Sequence, residues 1–135
     1  MRTAFSKQQG GMTMIEVLVS ILILSLGILA LVGLQAKSMT QASDAKYRVE
    51  ATTYADEIIG LMWSDRANIG TYAALTAPSA SAWKNRVLAG LPGAGVPTIT
   101  ANGTVITVTL TWSPPGLPAG APPHSVTVMT MIDNP

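Results

Sequence analysis

The chain has 135 residues, of which 48% are hydrophobic and only 11% charged, with eight Lys+Arg against seven Asp+Glu. That length holds one small domain at most, and the low charge argues against an extended disordered chain and a free cytosolic protein. The absence of cysteine excludes disulfides, cysteine-ligated zinc and cysteine nucleophiles, a lone histidine leaves no room for a His-rich metal site, and no basic cluster offers a surface to nucleic acid.

The first segment, Met1 to Gly11, is short and polar and carries Arg2 and Lys7. An apolar run follows, and from Val17 to Ala36 it contains no charge. About 20 predominantly apolar residues suffice for a helix to cross a bilayer, so the run reads as a transmembrane helix. A buried core helix is the alternative. It fails because the remaining residues could hardly wrap an all-round apolar helix on every side. The run is too long for an ordinary secretory signal and has no convincing small-residue cleavage site after it. The positive leader favours a cytoplasmic N-terminus, which puts the residues after Ala36 outside.

Glu16 disturbs the apolar run. A carboxylate at the centre of a membrane helix costs about 2.5–3.5 kcal/mol on insertion scales, and less near an end. Either Glu16 snorkels as an end residue, or it pairs with a positive group in the apolar layer.

Gly11-Met12-Thr13-Met14-Ile15-Glu16-Val17-Leu18-Val19-Ser20 resembles the signal of type IV prepilins. The resemblance implies that a prepilin peptidase cuts between Gly11 and Met12 on the cytoplasmic side. Met12 would then be N-methylated, and Glu16 would be the fifth mature residue, where the family has its glutamate. The family's mechanism has that carboxylate neutralise the N-terminal amine of an adjacent subunit, here the amine of Met12. Opposite charges a few ångströms apart attract far more strongly in low dielectric than in water, which gives a register signal for adding a subunit. Met12 departs from the Phe usual in major pilins. Cleavage would remove Arg2 and Lys7 and turn the net charge of +1 negative.

Beyond Leu34 the helical pattern continues, and no proline occurs before Pro78. Ala51, Tyr54, Ala55, Ile58, Leu61 and Met62 recur at three- and four-residue steps and predict an apolar stripe packed on a sheet, while Lys46, Arg48, Glu50 and Glu57 take the remaining surface. The helix should end between Trp63 and Asn68. From Met12 to Asp65 it would span roughly 80 Å. Gly27 and Gly33 are weak points, each costing about 1 kcal/mol relative to Ala. Ser20, Ser25, Gly27 and Gly33 either permit close helix approach or are ordinary membrane-helix composition.

Thr71 to Ala82, rich in Ala, Ser and Thr and containing Pro78, reads as a loop. Trp83, Val87 and Leu88 before Gly90 predict a short turn of helix, broken at Leu91-Pro92-Gly93-Ala94-Gly95. Thr98–Ala101 and Thr104–Trp112 flank Asn102-Gly103, a strong two-residue hairpin signal. In the second of these strands Ile106, Val108, Leu110 and Trp112 should face the core. Pro114 to Pro123 must be a loop. Ser125 to Ile132 returns as a strand with Val126, Val128 and Ile132 inward. The expected organisation is a leader at 1–11, a transmembrane helix at 12–36, its amphipathic continuation at 37–68, and a globular head at 69–135. The fold class is α+β, a long N-terminal helix on a three- or four-stranded antiparallel sheet. The resemblance implies the same type IV pilin-like layout.

Ala51 to Tyr72, Trp83, Leu91-Pro92-Gly93 and the strand ending in Trp112 resemble PilV-type minor pilins, the type IV pilus modification proteins. Two features tilt the same way: the chain is short for a major pilin, and it lacks the paired cysteines many of them carry. This resemblance implies a subunit held in the bacterial inner membrane with its head in the periplasm, later joining or priming a pilus. Its partners would be the prepilin peptidase, other minor pilins and the major pilin, the inner-membrane assembly platform and the lipid bilayer. No nucleic acid and no cofactor are expected. The alternatives are a minor pseudopilin of a type II secretion system and a surface adhesin subunit binding sugar or DNA. The last would need an exposed aromatic or basic patch.

Nothing predicts an enzyme. His124 is expected as a solvent-exposed histidine at a strand end with no nucleophile or acid partner. Asp56, Glu57 and Asp65 lie on a charged helix and read as a solvated or interface face rather than a metal site. Trp63, Trp83 and Trp112 are expected as core anchors.

Overall fold

The computed structural model describes residues 12–133. One uninterrupted helix, α1 (Met12–Ser64), takes 53 of them and runs straight through Gly27 and Gly33. The chain divides into two compact units at Gln41/Ala42, and α1 contributes to both.

In the first unit every described side chain from Thr13 to Gln41 is exposed. Among the described residues this is the helix long and apolar enough to cross a membrane. The two serines within its uncharged stretch are bonded internally: Ser20 Oγ donates to the Glu16 carbonyl and Ser25 Oγ to the Ile21 carbonyl, each at 2.7 Å. Polar side chains tied to their own backbone need no water, which suits a helix whose solvent is hydrocarbon.

The second unit holds the whole core. Past α1 come a single 3₁₀ turn at Arg66–Asn68, α2 (Ile69–Ala73), α3 (Pro78–Gly90), β1 (Thr98–Asn102), β2 (Val105–Trp112) and β3 (His124–Met131). The sheet is three-stranded and antiparallel in the order β1-β2-β3. Ala51, Ala55, Ile58 and Met62 of α1 are fully buried with Trp83 and Val87 of α3 and with Ile106, Val108, Leu110 and Trp112 of β2. These are the inward positions that periods of 3.6 and 2 select. Val126 and Val128 pack at the margin of this core, and Ile132, just past β3, is buried in it. The molecule is α+β: a long apolar N-terminal helix whose continuation packs on a small antiparallel sheet, the layout of a type IV pilin-like fold.

Three local expectations are corrected. Thr71 to Ala82 is not one loop, because α2 occupies its start and α3 begins at Pro78. Proline suits the first helical position, where its missing N–H would have had no partner and its fixed φ is already helical. The short turn expected at Trp83 is therefore the C-terminal half of a 13-residue helix. The chain between α2 and α3 is reversed by a Schellman motif, with Leu75 N–H bonded to the Tyr72 carbonyl and Thr76 N–H to the Thr71 carbonyl, both at 2.9 Å. Leu75 holds the left-handed position at φ 55°, where glycine is usual, and packs its side chain against the core.

The hairpin turn sits one residue later than expected. Asn102 pairs with Val105, so the loop is Gly103-Thr104 rather than Asn102-Gly103. Gly103 alone takes positive φ, at 62°, as a type II′ turn demands of its first central residue. A type I′ turn on Asn102-Gly103 would pair Ala101 with Thr104 and slide β1 two residues along β2, setting Ile99 opposite Ile106 instead of Val108.

Trp63 is the third correction. Trp83 and Trp112 are fully buried, but Trp63 is 45% exposed, with the Arg66 guanidinium 5.5 Å from its ring centroid. It follows Met62 by one residue, about 100° around the helix from the buried stripe.

Candidate processing and assembly site

The expected cleavage position, Gly11, lies outside the described residues. Met12 opens α1, and Glu16 follows one turn later. A spacing of four residues puts the two on the same helix face. Glu16 is exposed, and α1 carries no other charged side chain before Lys37. Among the described residues its carboxylate has no ion-pair partner; the ion pair found there joins Arg86 to Glu57. Ser20, one turn further, bonds the Glu16 carbonyl and not its carboxylate. The carboxylate is thus carried on a continuous helix, exposed, with the apolar residues Ile15 and Val17 on either side of it in sequence. An amine brought to it from another molecule would meet no competing cation on this segment.

The other candidate residues are not brought together. Asp56 is exposed on α1, and Glu57 is engaged by Arg86 of α3. Asp65 accepts from Asn68 Nδ2 at 2.8 Å and from the Tyr72 hydroxyl at 3.4 Å. Among the described residues no three His, Cys, Asp or Glu side chains cluster as metal ligands would. His124 is half-buried rather than solvent-exposed, its ring edge-on to Trp112 with centroids 5.8 Å apart. Trp63 provides one exposed indole beside Arg66.

Tyr54 is the residue that sequence reasoning undervalued. Its carbonyl accepts from Trp83 Nε1 at 2.8 Å, joining α1 to α3. Its hydroxyl lies so close to Gly90 that a Cβ there would overlap it. Burial, together with the Glu50 carboxylate and then that of Glu57, raises the Tyr54 pKa above the ordinary tyrosine value, against a smaller opposing effect of Arg86. The signal was present in the pattern, since Tyr54 sits on the apolar stripe one residue before the buried Ala55.

Residues 6–32 match the family model described as the prokaryotic N-terminal methylation motif. The matched segment includes Gly11, Met12 and Glu16 and continues into the apolar half of the helix. The match supports a type IV pilin-like precursor that a prepilin peptidase processes. Together with the long apolar helix, it points to a membrane-anchored chain of a pilus-type system. No curated protein and no solved structure matches the chain.

Proposed function

We propose that this chain is a PilV-like minor pilin, a structural subunit and not an enzyme. The prepilin peptidase cuts between Gly11 and Met12, and Met12 becomes the methylated N-terminus. The mature subunit rests in the inner membrane on the apolar half of α1, with the second unit in the periplasm. On assembly, with other minor pilins and the major pilin, Glu16 neutralises the amine of a neighbouring subunit's Met12 and sets the axial register. The exposed Leu, Ile and Val side chains exchange lipid contacts for protein contacts, which alters hydrophobic energy little. The observation that carries the reading is the single carboxylate of Glu16, four residues past Met12 on an otherwise uncharged exposed helix within the methylation motif.

Mass spectrometry of the chain isolated from its native membrane tests the first step. The expected product begins at Met12 and carries one added methyl group; material still bearing Arg2 and Lys7 in assembled fibres contradicts the proposal. Replacing Gly11 should leave the uncut precursor. Glu16→Ala should be cut normally yet enter fibres poorly, and undiminished incorporation would remove the pairing role.

A further inference from the structure

The sheet has two outer strands, and the chain treats them differently. β1 is five residues long, and α2 packs against it. β3 is eight residues long and stays in register with β2 from Trp112↔His124 to Val105↔Met131 without a bulge. It contains no proline, and no Asp, Glu, Lys or Arg occurs between Arg86 and Asp133. Folded proteins ordinarily blunt a long edge with charge, proline, a bulge or a covering segment, because its free backbone groups are a template for another strand.

One bond sets the phase of that edge. Ile132 N–H donates to the Thr104 carbonyl at 2.8 Å, continuing the β2–β3 ladder. In an antiparallel ladder, alternate residues direct both backbone groups to the same neighbour. Val126, Val128 and Thr130 therefore face β2. Ser125, Thr127, Met129 and Met131 turn their N–H and C=O groups to the other side, which is free among the described residues. Their side chains lie on the outer face, where Met129 and Met131 are 71% and 68% exposed.

We propose that the free edge of β3 pairs antiparallel with β3 of a second copy of the chain, with Val128 opposite Val128, Thr127 opposite Met129, and Ser125 opposite Met131. This register sets every outward-facing residue opposite another outward-facing residue, so the eight free groups of each strand are matched. It also keeps the outer faces of both sheets on one side. No like charges meet, because Asp133 falls opposite Pro123, beyond the strand. An uncharged edge calls for an uncharged strand of similar length, and β3 itself supplies one, as a two-fold contact requires. The pairing is separate from any contact made through α1 and does not depend on the proposed function.

The chain has no cysteine, so single cysteines report the register. Differently tagged Thr127→Cys and Met129→Cys full-length chains are mixed in mild detergent and treated with a short bis-maleimide. The mixed product should form at least tenfold more readily than with Ser125→Pro present in both chains. That proline removes only an outward N–H and leaves the ladder to β2 intact. Met131→Lys in both chains, which places a charge at the edge, should lower the cross-linked fraction similarly while the near-ultraviolet circular dichroism of the tryptophans is unchanged. It carries the test if the proline variant fails to fold. A monomeric wild-type chain, cross-linking that ignores both substitutions, or edge amides protected from exchange in native membranes by a different protein would each overturn the proposal.

Discussion

The two units share one helix and use it in opposite ways. From Thr13 to Gln41 no side chain of α1 is buried, and apolar residues occupy its whole circumference. From Ala51 to Met62 the same backbone presents a narrow apolar stripe, fully buried, with charged and polar residues around the rest. The first segment is adapted to an apolar surrounding and needs no partner within the chain. The second buries its apolar side against α3 and the sheet. Helix formation itself is therefore not what distinguishes them; the solvent each face expects is.

The sharpest way to break this contrast is to separate the units. Among the described residues, all the buried ones lie between Ala51 and Ile132. A fragment beginning at Lys37 should therefore lose membrane fractionation completely yet keep its near-ultraviolet circular dichroism. Persistent membrane association would show that the second unit carries an anchor of its own. Next in size are core deletions. Trp112→Ala in that fragment should cost about 3–5 kcal/mol in urea unfolding. In the full chain, Leu24→Ala should leave the unfolding of the second unit within about 0.5 kcal/mol, since Leu24 is an exposed residue of the first unit.

Paired glycines sharpen the comparison further. Gly90→Ala drives a methyl into the Tyr54 hydroxyl, and its expected cost is about 1–3 kcal/mol by the same denaturation. Gly33→Ala meets nothing within 4 Å. It should raise helix stability by up to about 1 kcal/mol, read as slower amide exchange in micelles. The smallest effects belong to the charged surface of the second unit. Glu57→Gln removes the ion pair to Arg86, whose two side chains are both substantially exposed, and should change stability by only about 0–1 kcal/mol. Tyr54 has a folded pKa above its unfolded value. Its contribution is fully present below the ordinary tyrosine pKa of about 10 and is lost as pH rises through the folded value. A stability profile above pH ~10 should thus fall more steeply in the wild-type chain than in Tyr54→Phe.

Several features were legible because they are local or periodic. The uncharged run from Val17 to Ala36, the stripe ending at Met62, and the alternation of Ile106, Val108, Leu110 and Trp112 each follow from one repeat length matched to one element. The arrangement of Gly11, Met12 and Glu16 is likewise a short-range pattern. Thr71 to Ala82 was harder, because its Ala, Ser and Thr carry little apolar periodicity and Pro78 reads equally as a loop residue or a helix start. Its helical state is decided by Ala80, Trp83 and Val87 meeting the core together. Trp63 misleads for a different reason: residue type favours burial, but the 3.6-residue period turns it away from the stripe.

Residue order alone thus settles the solvent preference of each segment, since apolar content and periodicity are properties of the chain before it folds. It also settles the fold class, a long helix followed by a small antiparallel sheet. Contact between distant segments settles the rest: the turn at Gly103-Thr104, which sets Ile99 opposite Val108; the closeness of Tyr54 to Gly90; and the open edge of β3. Those outcomes depend on which surfaces compete for the same core, and that competition exists only once the segments have met.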